Sequence, residues 1–496
     1  MSKSIFIIVA AVYSVIMLAI GVYFSRRQKS SLTYFLGGRN IPAWIIALTF
    51  TASWFGPTAA VVATGRAFHG GISAIWLIAG PTWMAIAIIT ALFSKKMRTV
   101  SASSNIYTLA DVFRLRYGKF SAFLMFLCVL GYLWGLTAAC FLGMAKALHS
   151  LVGMNFMLGL VIAAVVAIIY TTLGGYESVI FTDVIQAVLL GAGMIAFAAI
   201  SLSRAGGWVN IKEVAIAKEG YLNVFHDFGN YLPIIIAFGL GWVASQEIFQ
   251  RFASAKDEKH AARGGWWALV INVPLFIVPV LAGIGAAVWL PGLIEKAGVA
   301  VPEAEKITFW ASTNVLGGFG VFLFVAILAA IMSSADTFIN AAGMTVSKDI
   351  FGQYLHKGGD IPEKRMLTIS RLSTLIVCVL ALLVSLAFTS ILDALFLGAD
   401  ILVCGMLVPL IGAFWWKRAT KVGATLSTLV GFAFVIIDFI LHKAGVNVPY
   451  PGYPKSLYVG FALSIILFIV GSLLSQPEEE SKIAPFFPNA SKEKAA

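Results

Sequence analysis

The stretch Ala330-Ile331-Met332-Ser333-Ser334-Ala335-Asp336-Thr337 closes an apolar run with a cluster of oxygens. On a helix, positions 330, 333, 334 and 337 share one face, so three hydroxyls gather there with the Asp336 carboxylate nearby. Oxygen-only ligands suit a hard cation and not a soft metal. A carboxylate inside a membrane is costly unless it is paired or functional. The plainer alternative is that the hydroxyls bond back to carbonyls four residues earlier while Asp336 caps the helix end. A second carboxylate, Asp183, begins the run after Leu173-Gly174-Gly175-Tyr176-Glu177-Ser178. It either balances a cation from a neighbouring helix or is a polar residue near the interface. Asp393, Asp400 and Asp438 lie nearer span ends or on a late helix and read as structural.

The elements that must hold these groups are membrane helices. Of 496 residues, 60% are hydrophobic and 12% charged, against about 25% charged in a soluble domain. Apolar runs at 5–24, 43–65, 72–93, 120–148, 152–173, 179–202, 231–250, 266–290, 308–339, 367–388, 391–415, 422–441 and 457–474 each approach the roughly 20 residues a bilayer core requires. The chain therefore reads as an all-α polytopic membrane protein of about 13 crossings. Its first run is too long for a signal-peptide core and has no small-residue cleavage site after it, so it reads as a retained helix. The net charge of +12 resides in short loops between spans, which argues against nucleic acid as partner. Basic loops hold Arg26, Arg27 and Lys29; Lys95, Lys96 and Arg98; and Arg251, Lys256, Lys259 and Arg263. Two more hold Lys348, Lys357, Lys364 and Arg365, then Lys417, Arg418 and Lys421. They fall on every second connection, so the positive-inside rule puts the N-terminus outside and the C-terminus in the cytoplasm. The four cysteines lie in apolar runs without metal-ligand spacing and read as packed thiols. There is no phosphate-binding loop for ATP, and the polar tail at 476–496 is too short for a catalytic module, so the chain reads as no enzyme.

Two spans are interrupted. The second contains Phe55-Gly56-Pro57, and the seventh contains Pro233, Gly239, Gly241 and the polar Ser245-Gln246-Glu247. Broken helices at matching positions of two halves point to an inverted-repeat secondary transporter, although Gly and Pro are also common in ordinary membrane helices. On this reading residues 1–475 are one transporter domain: a leading helix at 5–24, repeats at 43–202 and 231–415, and trailing helices at 422–474.

Several motifs recur in a meaningful order: Tyr34-Phe35-Leu36-Gly37-Gly38-Arg39, Tyr170-Thr171-Thr172-Leu173-Gly174-Gly175, Thr182-Asp183-Val184-Ile185-Gln186, Gln246 through Gln250-Arg251, and Met332-Ser333-Ser334-Ala335-Asp336. Together they resemble the sodium:solute symporter family, with its LeuT-like fold of two inverted five-helix units. The resemblance spans roughly residues 5 to 475. It implies a sodium site made by the carbonyls of Ala52, Phe55 and Ala330 and the hydroxyls of Ser333 and Ser334. It also implies a second cation site at Asp183, Ser333, Asp336 and Thr337. Sodium is the implied coupling ion, and the lipid bilayer and a small solute are the other partners.

Within that family, Thr51-Ala52-Ser53-Trp54, the run Ser333 to Thr337, Tyr117-Gly118-Lys119 and Pro451-Gly452-Tyr453-Pro454 resemble the high-affinity choline transporters. In that branch an aromatic box holds a quaternary ammonium, which cannot be hydrogen-bonded and is drawn to ring faces. The matching positions are Trp54, Trp83 and Trp134, while Ser245 and Leu395 stand where further indoles belong. Trp242, one turn before Ser245, is a candidate to fill that gap, and Gln246 is a further candidate substrate contact. Trp266-Trp267, Trp289 and Trp415-Trp416 read as interfacial belt residues. The central parts of the substrate helices hold no Arg or Lys, an argument against sugar acids and dicarboxylates but not against amino acids. The expected activity is sodium-driven import of a small amine such as choline, with a proline-like amino acid or a monocarboxylate as alternatives. A ligand sensor and a channel are the rival classes.

Overall fold

The computed structural model describes residues 3–28, 30–298, 300–355 and 361–487. The expectations at Lys29, at Lys357 and in the last part of the tail lie outside these residues. Among the described residues the regular structure is helical, with one isolated backbone bridge between Ile41 and Ala255.

Among the described residues eleven helices are long and apolar enough to cross a bilayer, and a pair bent by 42°, Phe228–Ala244 with Gln246–Ser254, forms one more. One of the eleven, Phe156–Arg204, has 49 residues. At about 1.5 Å per residue it would be far longer than a bilayer core of about 30 Å. Its contacts show that it turns back at Gly175 (φ 63°, ψ −167°). Tyr170, before the turn, packs against Gly21, and Phe181, after it, packs against Phe24. Farther on, Gln186 reaches back to Tyr13. The helix is therefore two crossings, which brings the total to the expected thirteen. Only glycine suits the turn: a Cβ there would stand 2.6 Å from the Tyr34 ring and would require a left-handed backbone.

Two boundaries differ from the sequence reading. The run beginning at 308 is a separate short helix, Ile307–Asn314, before the crossing Gly317–Thr345 starts at its own left-handed glycine. The break in the seventh span is at Ser245, whose extended backbone (φ −84°, ψ 139°) ends a tight turn at Gly241–Ala244. Arg251 is also not a loop cation: it is fully buried. Lys348 likewise turns inward, donating to Ser31 at 2.9 Å. The four cysteines are free and buried, as their apolar settings suggest. Trp266, Trp267 and Trp415 are about half exposed, as belt residues would be.

Gly317–Thr345 lies at the centre of the bundle, against Phe156–Arg204, Lys119–Val152 and Ala43–Pro57. Almost every residue from Leu323 to Thr345 is buried, so its hydroxyls and carboxylate must find partners within the protein.

Candidate functional site

The helix Ala43–Pro57 breaks at Gly56, where φ is 42° and ψ −170°. Proline at 57 cannot donate a backbone bond, and glycine at 56 permits the left-handed turn that an L side chain resists. The break faces Gly317–Thr345. Ser333 Oγ donates to the Ala52 carbonyl at 2.8 Å and lies 2.9 Å from that of Ala330. Ser334 Oγ donates to the Ser53 carbonyl at 2.6 Å and lies 3.2 Å from that of Ala330. Of the first expected ion set, Ala52, Ala330, Ser333 and Ser334 therefore meet directly. The Phe55 carbonyl, at the break, accepts from the Thr58 amide.

The second expected set is divided by a residue that sequence reasoning missed. Arg251 Nη2 lies 3.7 Å from Asp183 Oδ2, with both side chains sealed from solvent. The same nitrogen donates to Thr337 at 3.1 Å and to the Ser53 hydroxyl. Thr49, also unassigned from the sequence, donates to Asp183 at 2.5 Å and accepts from Arg251 Nε at 3.1 Å. Asp336 instead faces Tyr170, whose hydroxyl donates to it at 2.8 Å. One oxygen of each carboxylate, Asp183 Oδ1 and Asp336 Oδ1, has no hydrogen-bond partner. Nothing local to Gln246–Ser254 set Arg251 apart from a cation at the cytoplasmic end of a span.

Trp54 and Trp242 stack at 4.5 Å with their planes 29° apart. Both border a cavity under the break that also touches Thr58, Leu136, Phe338 and Leu395. Its free volume is about 20 Å³, room for about one water. The other expected substrate contacts lie elsewhere. Trp83 donates to the Asn272 carbonyl at 3.1 Å, and Trp134 Nε1 is buried without a partner. Gln246 accepts from the Leu109 amide at 2.7 Å and donates to the Tyr107 carbonyl at 3.3 Å, so it ties a helix start to a loop. Ser245 turns back to the Trp242 carbonyl at 2.8 Å.

Three of the sequence motifs meet beside the site. Gln250 donates to the Phe35 carbonyl at 2.6 Å and to Asn340 at 2.8 Å, while Tyr34 donates to the Thr172 carbonyl at 2.9 Å. Burial raises the Tyr34 phenol to about 12, so it remains a neutral donor near pH 7.

A broken helix facing a hydroxyl-bearing helix in a thirteen-crossing bundle defines a secondary transporter of the LeuT-like fold. A family model described as "Sodium:solute symporter family" matches residues 34–431, and the chain belongs to that family. Sodium is its coupling ion. The chain is 28% identical over 474 residues to the osmoregulated proline transporter OpuE of Bacillus subtilis (strain 168), covering 93% of this chain and 94% of that one. It is 27% identical over 485 residues to the sodium/proline symporter of Staphylococcus aureus (strain Newman), covering 95% and 93%. Among solved structures, a Na+-coupled sialic acid symporter in a substrate-bound outward-open state superposes with a TM-score of 0.79. It shares 19% identity and covers 96% of this chain and 99% of its own. A nucleobase-cation-symport-1 family transporter in a closed conformation gives 0.53 at 16% identity, covering 91% and 97%.

Proposed function

We propose that this symporter carries proline, or a small amino acid closely like it, inward with sodium. The observation that carries the mechanism is the direct contact of Ser333 and Ser334 with the carbonyls at the break in Ala43–Pro57. A sodium ion bridging Ala52, Phe55, Ala330, Ser333 and Ser334 would replace those hydrogen bonds with ion–oxygen contacts. It would thereby link the same two helices through the ion. Each charge moving down the membrane potential supplies about 2.3 kcal/mol per 100 mV, enough to concentrate a neutral solute by more than an order of magnitude before any sodium gradient is counted.

Proline ranks ahead of choline because both relatives above are proline transporters by name and match over more than nine-tenths of this chain. The cavity chemistry fits a zwitterion with an apolar ring. Trp54, Trp242 and Leu395 offer apolar walls, and a broken helix offers free backbone groups to a carboxylate. The stacked indoles of Trp54 and Trp242 must separate to admit the solute. At the second cation set, Arg251 already supplies a positive charge to Asp183 and Thr337. One coupled sodium per solute follows, unless Arg251 withdraws.

The repeats are taken as 43–202 and 231–415, because the two interruptions stand five crossings apart. An odd number of crossings and basic loops on one side support an external N-terminus and a cytoplasmic C-terminus. A thermal-unfolding screen tests the substrate: proline should stabilise the purified protein in sodium and not in potassium. Stabilisation by choline and not by proline would restore the choline reading.

A further inference from the structure

Asp400 and Asp438, on neighbouring crossings Ile391–Trp415 and Lys421–Lys443, border one small void away from the broken helices. They are 5% and 6% exposed, respectively. Asp438 accepts from Ser456 at 2.7 Å. Asp400 makes no hydrogen bond or ion pair among the described residues. Tyr453 also borders the void, and its hydroxyl oxygen is buried without a partner. Lys443, farther along the same helix as Asp438, is engaged with Asp393 at 3.4 Å. His442 lies against the Tyr453 ring at 5.0 Å.

Two carboxylates buried together within a membrane helix bundle are unstable unless something neutralises them. The void measures about 10 Å³, the size of one small ion or water. Its polar lining is oxygen alone: two carboxylates, a serine hydroxyl and a phenol. Such a set favours a hard cation. A larger open cavity of about 410 Å³ shares Asp438 and Tyr453 with the void.

We propose that Asp400, Asp438, Tyr453 and Ser456 form a second, peripheral binding site for one sodium-sized monovalent cation. The ion clamps the crossing that carries Leu395, a wall of the central cavity, to the crossing behind it. The site does not depend on the solute assignment or on Ser334.

The test is equilibrium binding of radioactive sodium to the purified full chain in lipid nanodiscs, at constant ionic strength with N-methyl-D-glucamine chloride. Asp400→Asn and Asp438→Asn should each lose one sodium per chain, and each should do so in a Ser334→Ala background as well. Tyr453→Phe removes a single oxygen and should weaken the peripheral sodium about 3- to 10-fold, the scale of one lost polar contact. It guards against misfolding of the carboxylate variants. An unchanged sodium count in folded Asp400→Asn and Asp438→Asn chains, with unchanged affinity in Tyr453→Phe, overturns the proposal. So does displacement of the peripheral label by micromolar calcium, which would make the site a divalent one.

Discussion

Ser334 donates its hydroxyl proton to the main-chain carbonyl of Ser53 at 2.6 Å, joining the central helix to the last turn before the break at Gly56. Ser333 does the same to Ala52 at 2.8 Å. The Ser53 carbonyl has no helical partner four residues on, because Pro57 lacks an N–H, and the proposed sodium site draws on the Ala52 carbonyl and on both serine hydroxyls.

Ser334→Ala is therefore expected to raise the sodium concentration for half-maximal transport about 10- to 100-fold, since the loss of a buried polar ligand costs about 1–3 kcal/mol. Ser333→Ala should act in the same direction. Sodium titration of uptake at fixed solute measures both. Unchanged sodium dependence would remove these serines from the ion site.

Gly56→Ala should harm both stability and sodium binding. Its φ of 42° disfavours a Cβ, and that Cβ would stand 3.0 Å from Ser334 Oγ. A positive φ with ψ near 180° costs an L residue about 1–3 kcal/mol. Thermal unfolding with and without sodium should show a lower midpoint and a smaller sodium-induced rise. A parent-like rise would mean that the shape of the break does not set the ion site.

Arg251→Met leaves Asp183 buried without its cation, a loss expected to cost about 3–5 kcal/mol. The double variant Arg251→Met with Asp183→Asn removes both charges and should recover much of that stability. Unfolding midpoints of the parent, both singles and the double form the test. Additive losses would show that the two groups do not depend on each other.

Trp242→Ala should raise the solute concentration for half-maximal uptake about 10-fold, because a large aromatic contact is lost, with little change in sodium affinity. Trp54→Ala should resemble it. Trp83→Phe should stay within about twofold of the parent if the cost is confined to one hydrogen bond, that to Asn272. A larger effect at Trp83 than at Trp242 would relocate the solute.

The crossings, the hydroxyl face at 330–337 and the break at Gly56-Pro57 were legible because each is local: hydropathy, helical spacing and backbone chemistry reveal them. Arg251 was not, because a cation at the end of a span has the same local pattern whether it faces cytoplasm or folds inward. Its partners Asp183, Thr49 and Thr337 come from three other segments. The tryptophans show a related limit. An indole in a membrane helix is visible in sequence, but its direction is set by packing, and only Trp54 and Trp242 among the expected four border the cavity. Asp400 and Asp438 read as structural for the same reason: their meeting depends on how two late helices pack.

The central claim is sodium-driven solute import, and uptake into proteoliposomes tests it most directly. Labelled proline should accumulate above its external concentration under an inward sodium gradient, and should not when potassium replaces sodium. Accumulation indifferent to sodium, or only downhill equilibration, would contradict the account.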